Sequence, residues 1–388
     1  MRPGEAVTGP ADERWMRRAV ELARLGEGQT RPNPLVGAVL VAADGKAIGE
    51  GYHRAAGEPH AEVEALQDAQ RKGHSPEGAA IHVTLEPCNH HGRTGPCTEA
   101  LIGAGVARAV IAVRDPNRQA GGGVERLREA GIAVEVGVLR EEVALLNPGF
   151  MTWHLLGRPL VTIKWAMTLD GCTSLAGGES KWITGEAARR EVHRRRARHD
   201  AVLAGIGTVL RDGARLTARG MPPPPGPPRF RAVLDSRLRL APAAPFLEEA
   251  EDASVPLVFC SEYAEESHAD ALRHAGAEVI RVGADGQGRL AAAEVLAALG
   301  TRGVQSVYVE GGRTVAGHLL GRGVADRVEA WLAPVLAGGG EAHLGPITVP
   351  APPGAMADAW RLRRTTLHRV GEDWVAEGWL SGHLFAGK

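Results

Sequence analysis

Two α/β domains in tandem are what this sequence predicts: a helix–sheet–helix sandwich over residues 11–147 and a second α/β domain, its sheet mostly parallel, over residues 158–385. Three observations carry the expectation. At 388 residues the chain is too long for one ordinary core and suits two. Short strand-like runs alternate with helix-period segments through both halves, which is the pattern of α/β layers. Between the halves, Asn147–Pro159 reads as a connector.

The first half opens with an amphipathic helix over Ala11–Leu25, with Trp15, Ala19, Leu22 and Ala23 on one side and Gly26 as its stop. Leu35–Val41 and Ala47–Glu50 form a hairpin around Asp44-Gly45. Ala61–Gln70 is helical after Pro59, so His60 and Glu62 sit at a helix start. Ala79–Leu85 is a strand, Pro87 turns the chain, and Pro96-Cys97 begins another helix that ends near Gly103-Ala104-Gly105. Strands over Ala109–Val113 and Ile132–Val136 flank a helix over Val124–Ala130. In the second half, strands are expected at Leu160–Trp165, His199–Leu203, Arg231–Leu234, Val255–Phe259, Glu278–Arg281, Ser306–Val309 and Arg327–Leu332. Helices lie between several of them, including Glu186–Arg196 and Ala291–Leu299. The proline-rich stretch Met221–Pro228 is neither helix nor central strand and reads as an exposed loop.

Composition excludes several functional classes. Lys+Arg number 45 against 46 Asp+Glu, which argues against a general binder of nucleic acid or membrane surface. The longest apolar run, Leu35–Ala43, is far too short for a bilayer, and Met1–Glu13 lacks the apolar centre of a signal peptide. Four cysteines are too few for a disulfide scaffold in a chain this long, so a reducing cytoplasm is expected. Composition leaves a homo-oligomer open.

The chemistry concentrates in two strings, His60-Ala61-Glu62 and TLEPCNHHGRTGPC from Thr84 to Cys97. One imidazole (His60) and two thiolates (Cys88, Cys97) suit Zn²⁺ and leave a tetrahedral ion one open position for a water that it acidifies. Glu62 is the natural proton carrier beside that water. A His-x-Glu followed by Pro-Cys and a second Cys is the signature of zinc deaminases acting on nucleobases. A structural zinc closed by His90 or His91 is the competing reading. Eight residues separate the cysteines, and this longer loop adds His90, His91, Arg93 and Thr94 beside the metal, groups suited to a phosphorylated substrate.

With these strings in view, the chain resembles the bifunctional riboflavin-biosynthesis enzymes, in which a pyrimidine deaminase is fused to a ribose reductase. The family string is close to TLEPCSHHGRTPPC; Asn89 and Gly95 differ, and neither is a ligand. The resemblance implies a cytidine-deaminase-like first domain, with Asn33 of RPNPLVG, His53 of GEGYH, and Asp115 and Asn117 of DPN on the pyrimidine side. Arg93 and Thr94 would hold the ribose phosphate. In the second half KWAMTLDG, GESKWITG, GIGTVLRDGARLTARG, VLDS and VEGG follow the order of the family's reductase, which has a dihydrofolate-reductase-like fold and uses NADPH. Carried over residue by residue, Ala166, Trp182, Thr208, Asp212 and Ser236 would touch the cofactor and Gly311-Gly312 its phosphates. Ser180, Arg196, Leu216, Arg219 and Glu310 would meet the substrate, with Ser180 and the two arginines at its phosphate and Asp212 assisting proton movement. Cys172 and Gly213-Ala214 depart from the family's basic residue and Asp-Pro. The implied reactions are hydrolytic deamination of a phosphorylated diaminopyrimidine and NADPH-dependent reduction of its ribosyl group. The alternatives are another nucleoside or tRNA-base deaminase with a non-catalytic appendage, and a zinc-stapled binding module.

Overall fold

Secondary structure in the computed structural model follows the hydrophobic patterning closely. Described are residues 9–90, 95–175, 179, 181–223, 225–338, 345–349 and 351–385. They divide into two compact units, the second running Gly157–Gly382 except for the loop residues Pro225–Pro227, which group with the first.

The first unit comprises α1 (Pro10–Arg24), β1 (Gly37–Val41), β2 (Ala47–Tyr52), α2 (Ala61–Arg71), β3 (Ala80–Leu85), α3 (Cys97–Gly103), β4 (Arg108–Val113), α4 (Gly123–Glu129), β5 (Ala133–Val136), α5 (Arg140–Ala144) and α6 (Pro148–Leu156). Its sheet has the order β2-β1-β3-β4-β5, antiparallel across β2, β1 and β3 and parallel from β3 to β5. Alternation along the strands separates two cores. Ala38, Leu40, Ile81, Val83, Ala109 and Ile111 pack with Ala61, Ala65, Leu101, Val124 and Leu127 of α2, α3 and α4. Met16, Ala19, Val20 and Ala23 form the buried stripe of α1, while Trp15 is only half-buried and stacks with the Arg14 guanidinium. Small residues set how closely α2 approaches the sheet. A Cβ on Gly51 would lie 2.4 Å from the Ala61 carbonyl oxygen, so glycine there allows the first turn of α2 to rest on β2.

The second unit comprises β6 (Leu160–Thr168), α7 (Glu186–Arg198), β7 (Ala201–Gly205), α8 (Ile206–Asp212), β8 (Phe230–Leu234), β9 (Val255–Ser261), α9 (Glu266–His274), β10 (Glu278–Val282), α10 (Ala292–Gly300), β11 (Ser306–Glu310), α11 (Arg313–Gly321), β12 (Arg327–Ala333), β13 (Arg363–Val370) and β14 (Asp373–Trp379). They form one sheet of order β10-β9-β8-β7-β11-β6-β12-β14-β13. Its first seven strands are mutually parallel, and β14 and β13 add on antiparallel. Val161, Ile163, Leu203, Val307 and Val309 face α10 and α11. On the opposite face Val202, Val233 and Val258 meet α8 and α9, and Tyr308 and Trp331 meet Ala188 and Val192 of α7. No helix of the described residues is long and apolar enough to cross a membrane.

Two expectations need correction. The stretch read as a connector contains α6, whose Phe150 and Met151 are buried. His199 is the C-cap of α7 rather than the start of a strand. A run of charges on a helix is usually a solvated face; in Arg194–Arg196, by contrast, Arg195 bonds Glu329 and Glu377 at 2.7 and 2.6 Å, and Arg196 pairs with Glu310. Only Arg194 of the three is exposed. The hairpin β13–β14 adds a strand the pattern did not announce, because β13 is polar and exposed along almost its whole length.

Candidate active sites

Helix starts bring the metal ligands together. His60 is the N-cap of α2, Cys97 is the first residue of α3 after Pro96, and Cys88 stands three residues beyond the end of β3. His60 Nδ1 lies 3.5 Å from Cys88 Sγ and 3.3 Å from Cys97 Sγ, and the three donor atoms are all within 4.8 Å of one another. The Cys97 thiol beside it holds Cys88 down, while the Cys88 thiolate pushes Cys97 up. A dication in the proton's place stabilises both as thiolates, so the donor set fits zinc. Among the described residues no fourth side chain joins the cluster. His90 is exposed and lines the adjacent cavity; His91 lies outside the described residues. One imidazole and two thiolates are a ligand set that catalytic zinc sites use.

That cavity, of about 480 Å³, collects Glu62 together with four residues expected on the pyrimidine side: Asn33, His53, Asp115 and Asn117. Arg93 and Thr94 lie outside the described residues. Glu62 is 3% exposed, and burial pushes its carboxyl up to about 7. His53 donates from Nδ1 to the Pro59 carbonyl at 3.1 Å, so its Nε2 accepts from Asn33 Nδ2, also at 3.1 Å. That pairing orients the Asn33 amide and leaves its oxygen to accept from a ligand; burial keeps His53 low and neutral. Sequence reasoning missed Glu86, which accepts from the backbone N–H of Asp115 at 3.0 Å and of Val124 at 2.9 Å. The buried Glu86 thereby ties the loop bearing Asp115 and Asn117 to the segment bearing Cys88. Its signal was an acid in TLEPC, inside a strand end otherwise bound for the core. Burial also lifts the Asp115 carboxyl to about 6.

The second unit has a cavity of about 1010 Å³ outside the carboxyl ends of β6, β7, β8 and β11, where open parallel sheets bind ligands. Ala166, Trp182, Thr208, Asp212 and Ser236 line it, as do Arg196, Leu216, Arg219 and Glu310; Ser180 lies outside the described residues. Gly311 and Gly312 adopt φ of 74° and 76° at the start of α11, and a Cβ on Gly311 would lie 3.0 Å from Thr208 Cγ2. Glycine is therefore required where β11 turns beside Thr208, and the α11 N–H groups are positioned for a phosphate. These side chains fit the family's dinucleotide.

Arg196 differs from its expected place at the substrate phosphate. Its fork grips Glu310, with Nη2–Oε2 at 2.9 Å, and its Nη1 donates to the Thr217 carbonyl at 2.8 Å. Lys164 Nζ stands 3.7 Å from the same Glu310 carboxylate, which these cations hold down at about 2 despite its burial. Sequence reasoning missed Lys164 and His193 as cavity residues, although Lys164 opens the KWAMTLDG string. Cys172 does not line the cavity; it is buried in a turn where its N–H donates to Thr168 Oγ1 at 2.9 Å. Gly213, the other departure, caps α8 at φ 58°.

The chain matches two known families: "Cytidine and deoxycytidylate deaminase zinc-binding region" over residues 10–113 and "RibD C-terminal domain" over residues 159–376. It is 40% identical to the riboflavin biosynthesis protein RibD of Bacillus amyloliquefaciens over 364 residues, 93% of this chain and 94% of that protein. Against RibD of Escherichia coli the identity is 39%, over 93% and 97%. A Thermotoga maritima crystal structure of a diaminohydroxyphosphoribosylaminopyrimidine deaminase/5-amino-6-(5-phosphoribosylamino)uracil reductase is 37% identical, with TM-score 0.77 over 96% of this chain and 99% of that one. Acinetobacter baumannii RibD aligns at TM-score 0.78 and 36% identity over the same shares. The first unit is a zinc-binding deaminase domain and the second a reductase domain, and the chain as a whole belongs to the RibD family of riboflavin biosynthesis proteins.

Proposed function

We propose that this chain carries out two successive reactions of riboflavin biosynthesis in the cytoplasm. The first is zinc-dependent hydrolytic deamination of 2,5-diamino-6-ribosylamino-4(3H)-pyrimidinone 5′-phosphate; the second is NADPH-dependent reduction of the product's ribosyl group to ribityl. The observation that carries the reading is a three-ligand His60–Cys88–Cys97 cluster beside buried Glu62 in one cavity, in a chain whose second unit is a reductase domain. A nucleoside or tRNA-base deaminase with an inert appendage is not favoured, because the reductase resemblance spans that whole unit.

His60, Cys88 and Cys97 would hold zinc, which when bound would acidify a water at neutral pH. Glu62 relays both protons of the attacking water in turn, the first to the ring nitrogen and the second to the departing amine, so that a C–O bond replaces the C–N bond and carbonyl and ammonia result. Asn33, oriented by His53, accepts from the pyrimidine, and Asp115 and Asn117 line the same cavity. Arg93 and Thr94 bind the ribose phosphate. The second cavity would hold NADPH, which when bound would supply the hydride that reduces C1′ of the ring-opened sugar. Gly311-Gly312 seat its phosphates, Ala166, Trp182, Thr208 and Ser236 line its course, Glu310 and Leu216 bound the sugar, Arg219 and Ser180 hold the substrate phosphate, and Asp212 assists proton movement.

Chelation separates the two reactions. Protein stripped of zinc is expected to lose ammonia release while still oxidising NADPH with deaminated substrate, because the cavities lie in separate units. Ammonia release from metal-free protein, checked by elemental analysis, would refute the assignment.

A further inference from the structure

We infer that His193 is a positioning residue of the reductase cavity: from α7 it holds the Leu216–Arg219 segment so that Arg219 faces the substrate's phosphate. The inference rests on the reductase reading above and adds a residue that the sequence pattern did not single out.

The segment is neither helix nor strand, and buried Leu216 adopts φ 57°, a left-handed conformation unfavourable for a branched side chain. Such a conformation persists only where its surroundings over-determine it. Without a neighbouring strand, the backbone polar groups of the segment need side-chain partners. Arg196 Nη1 donates to the Thr217 carbonyl at 2.8 Å, and Asp252 Oδ2 accepts from the Ala218 N–H at 2.6 Å. The Arg219 N–H lies 3.2 Å from His193 Nδ1, which is also 3.1 Å from the Thr217 oxygen.

One ring nitrogen cannot donate to that oxygen and accept from that N–H together. Arg196 already satisfies the Thr217 carbonyl. With its proton on Nε2, His193 accepts from Arg219, and the Thr217, Ala218 and Arg219 groups named above are then all paired. Burial, Arg196 and Arg219 push the imidazole down to about 4, which agrees with a neutral ring that can accept. His193 and Arg196 are one turn apart on α7 and reach the segment from the same side. Asp252 grips it at Ala218.

The three contacts divide the work. Arg196 and Asp252 keep Thr217 and Ala218 in place, so loss of the His193 nitrogen frees the Arg219 end alone. Arg219 is exposed at the cavity, and an exposed guanidinium binds a phosphate well only if it is held in advance. The effect should therefore fall on the phosphate and spare the hydride step.

The test compares wild type with His193→Phe, which keeps the ring without a nitrogen, and His193→Asn, whose amide reaches the Nδ1 position. Substrates are the deaminated pyrimidine 5′-phosphate and its dephosphorylated nucleoside, with binding read by calorimetry as well as turnover. His193→Phe is expected to raise Kd and KM for the phosphorylated substrate about tenfold, the size of one weakened charge-assisted contact, with kcat little changed. Values for the nucleoside and the rate of ammonia release should not move, and His193→Asn should recover most of the loss. Equal losses on both substrates, or an Asn variant as poor as Phe, would overturn the role. Wild type that binds the phosphate in this pattern but never oxidises NADPH would instead overturn the reductase assignment.

Discussion

Glu62→Gln is expected to bring ammonia release down by roughly 10²–10⁴-fold, the usual range for removing a positioned acid–base group, while zinc content stays that of wild type. Gln keeps the shape of a side chain that is 3% exposed, so the first unit should keep its fold. The amide cannot take a proton from the attacking water, and the departing amine then receives none. His60, Cys88 and Cys97 retain their chemistry, which is why zinc should remain. NADPH oxidation with deaminated substrate serves as the internal control, since its cavity belongs to the other unit. Retained ammonia release in a zinc-replete Gln variant would remove Glu62 from the mechanism.

Glu310→Gln should damage the reductase unit more than any single loss at its surface. The carboxylate faces both Arg196 and Lys164, whose side chains are each 15% exposed. Removing it strands two positive charges in a buried place, and breaking such a pair costs about 3–5 kcal/mol. At about 2–4 °C per kcal/mol for a unit of this size, the melting transition of the second unit should fall by roughly 6–20 °C. NADPH oxidation should be lost and ammonia release kept. The same group sets an acid limit. Its folded value of about 2 lies below the unfolded carboxyl range, so the stabilisation is complete above the unfolded value and disappears as pH falls toward 2. In the Gln variant that acid-dependent loss should be smaller. A Gln variant that melts as wild type does would show that the three groups are not coupled as drawn.

The deaminase half was largely legible because its chemistry is local. His60 and Glu62 share one helix start, and Cys88 and Cys97 share one string, so residue type and spacing suffice to name a metal site. Pro59 and Pro96 announce the two helix starts. Glu86 was legible as an acid but not as a clamp, because its partners Asp115 and Val124 are 29 and 38 residues away. In α6 an apolar stretch without helical periodicity gave no reason to prefer helix to connector, and Phe150 finds its place only against the folded unit.

What the sequence alone determined, then, was the order of elements, the donor set and the carboxylate of Glu62 beside it, all properties of neighbours along the chain. Only the tertiary structure decided what the arginines of α7 do. Arg195, Arg196 and His193 have partners in β11, β12, β14 and the Leu216–Arg219 segment, and those pairings exist only after a parallel sheet has brought distant strands side by side. Charge patterning along a helix reports which residues are polar; whether a cation ends in solvent or against a buried carboxylate depends on burial, which only the packed sheet creates.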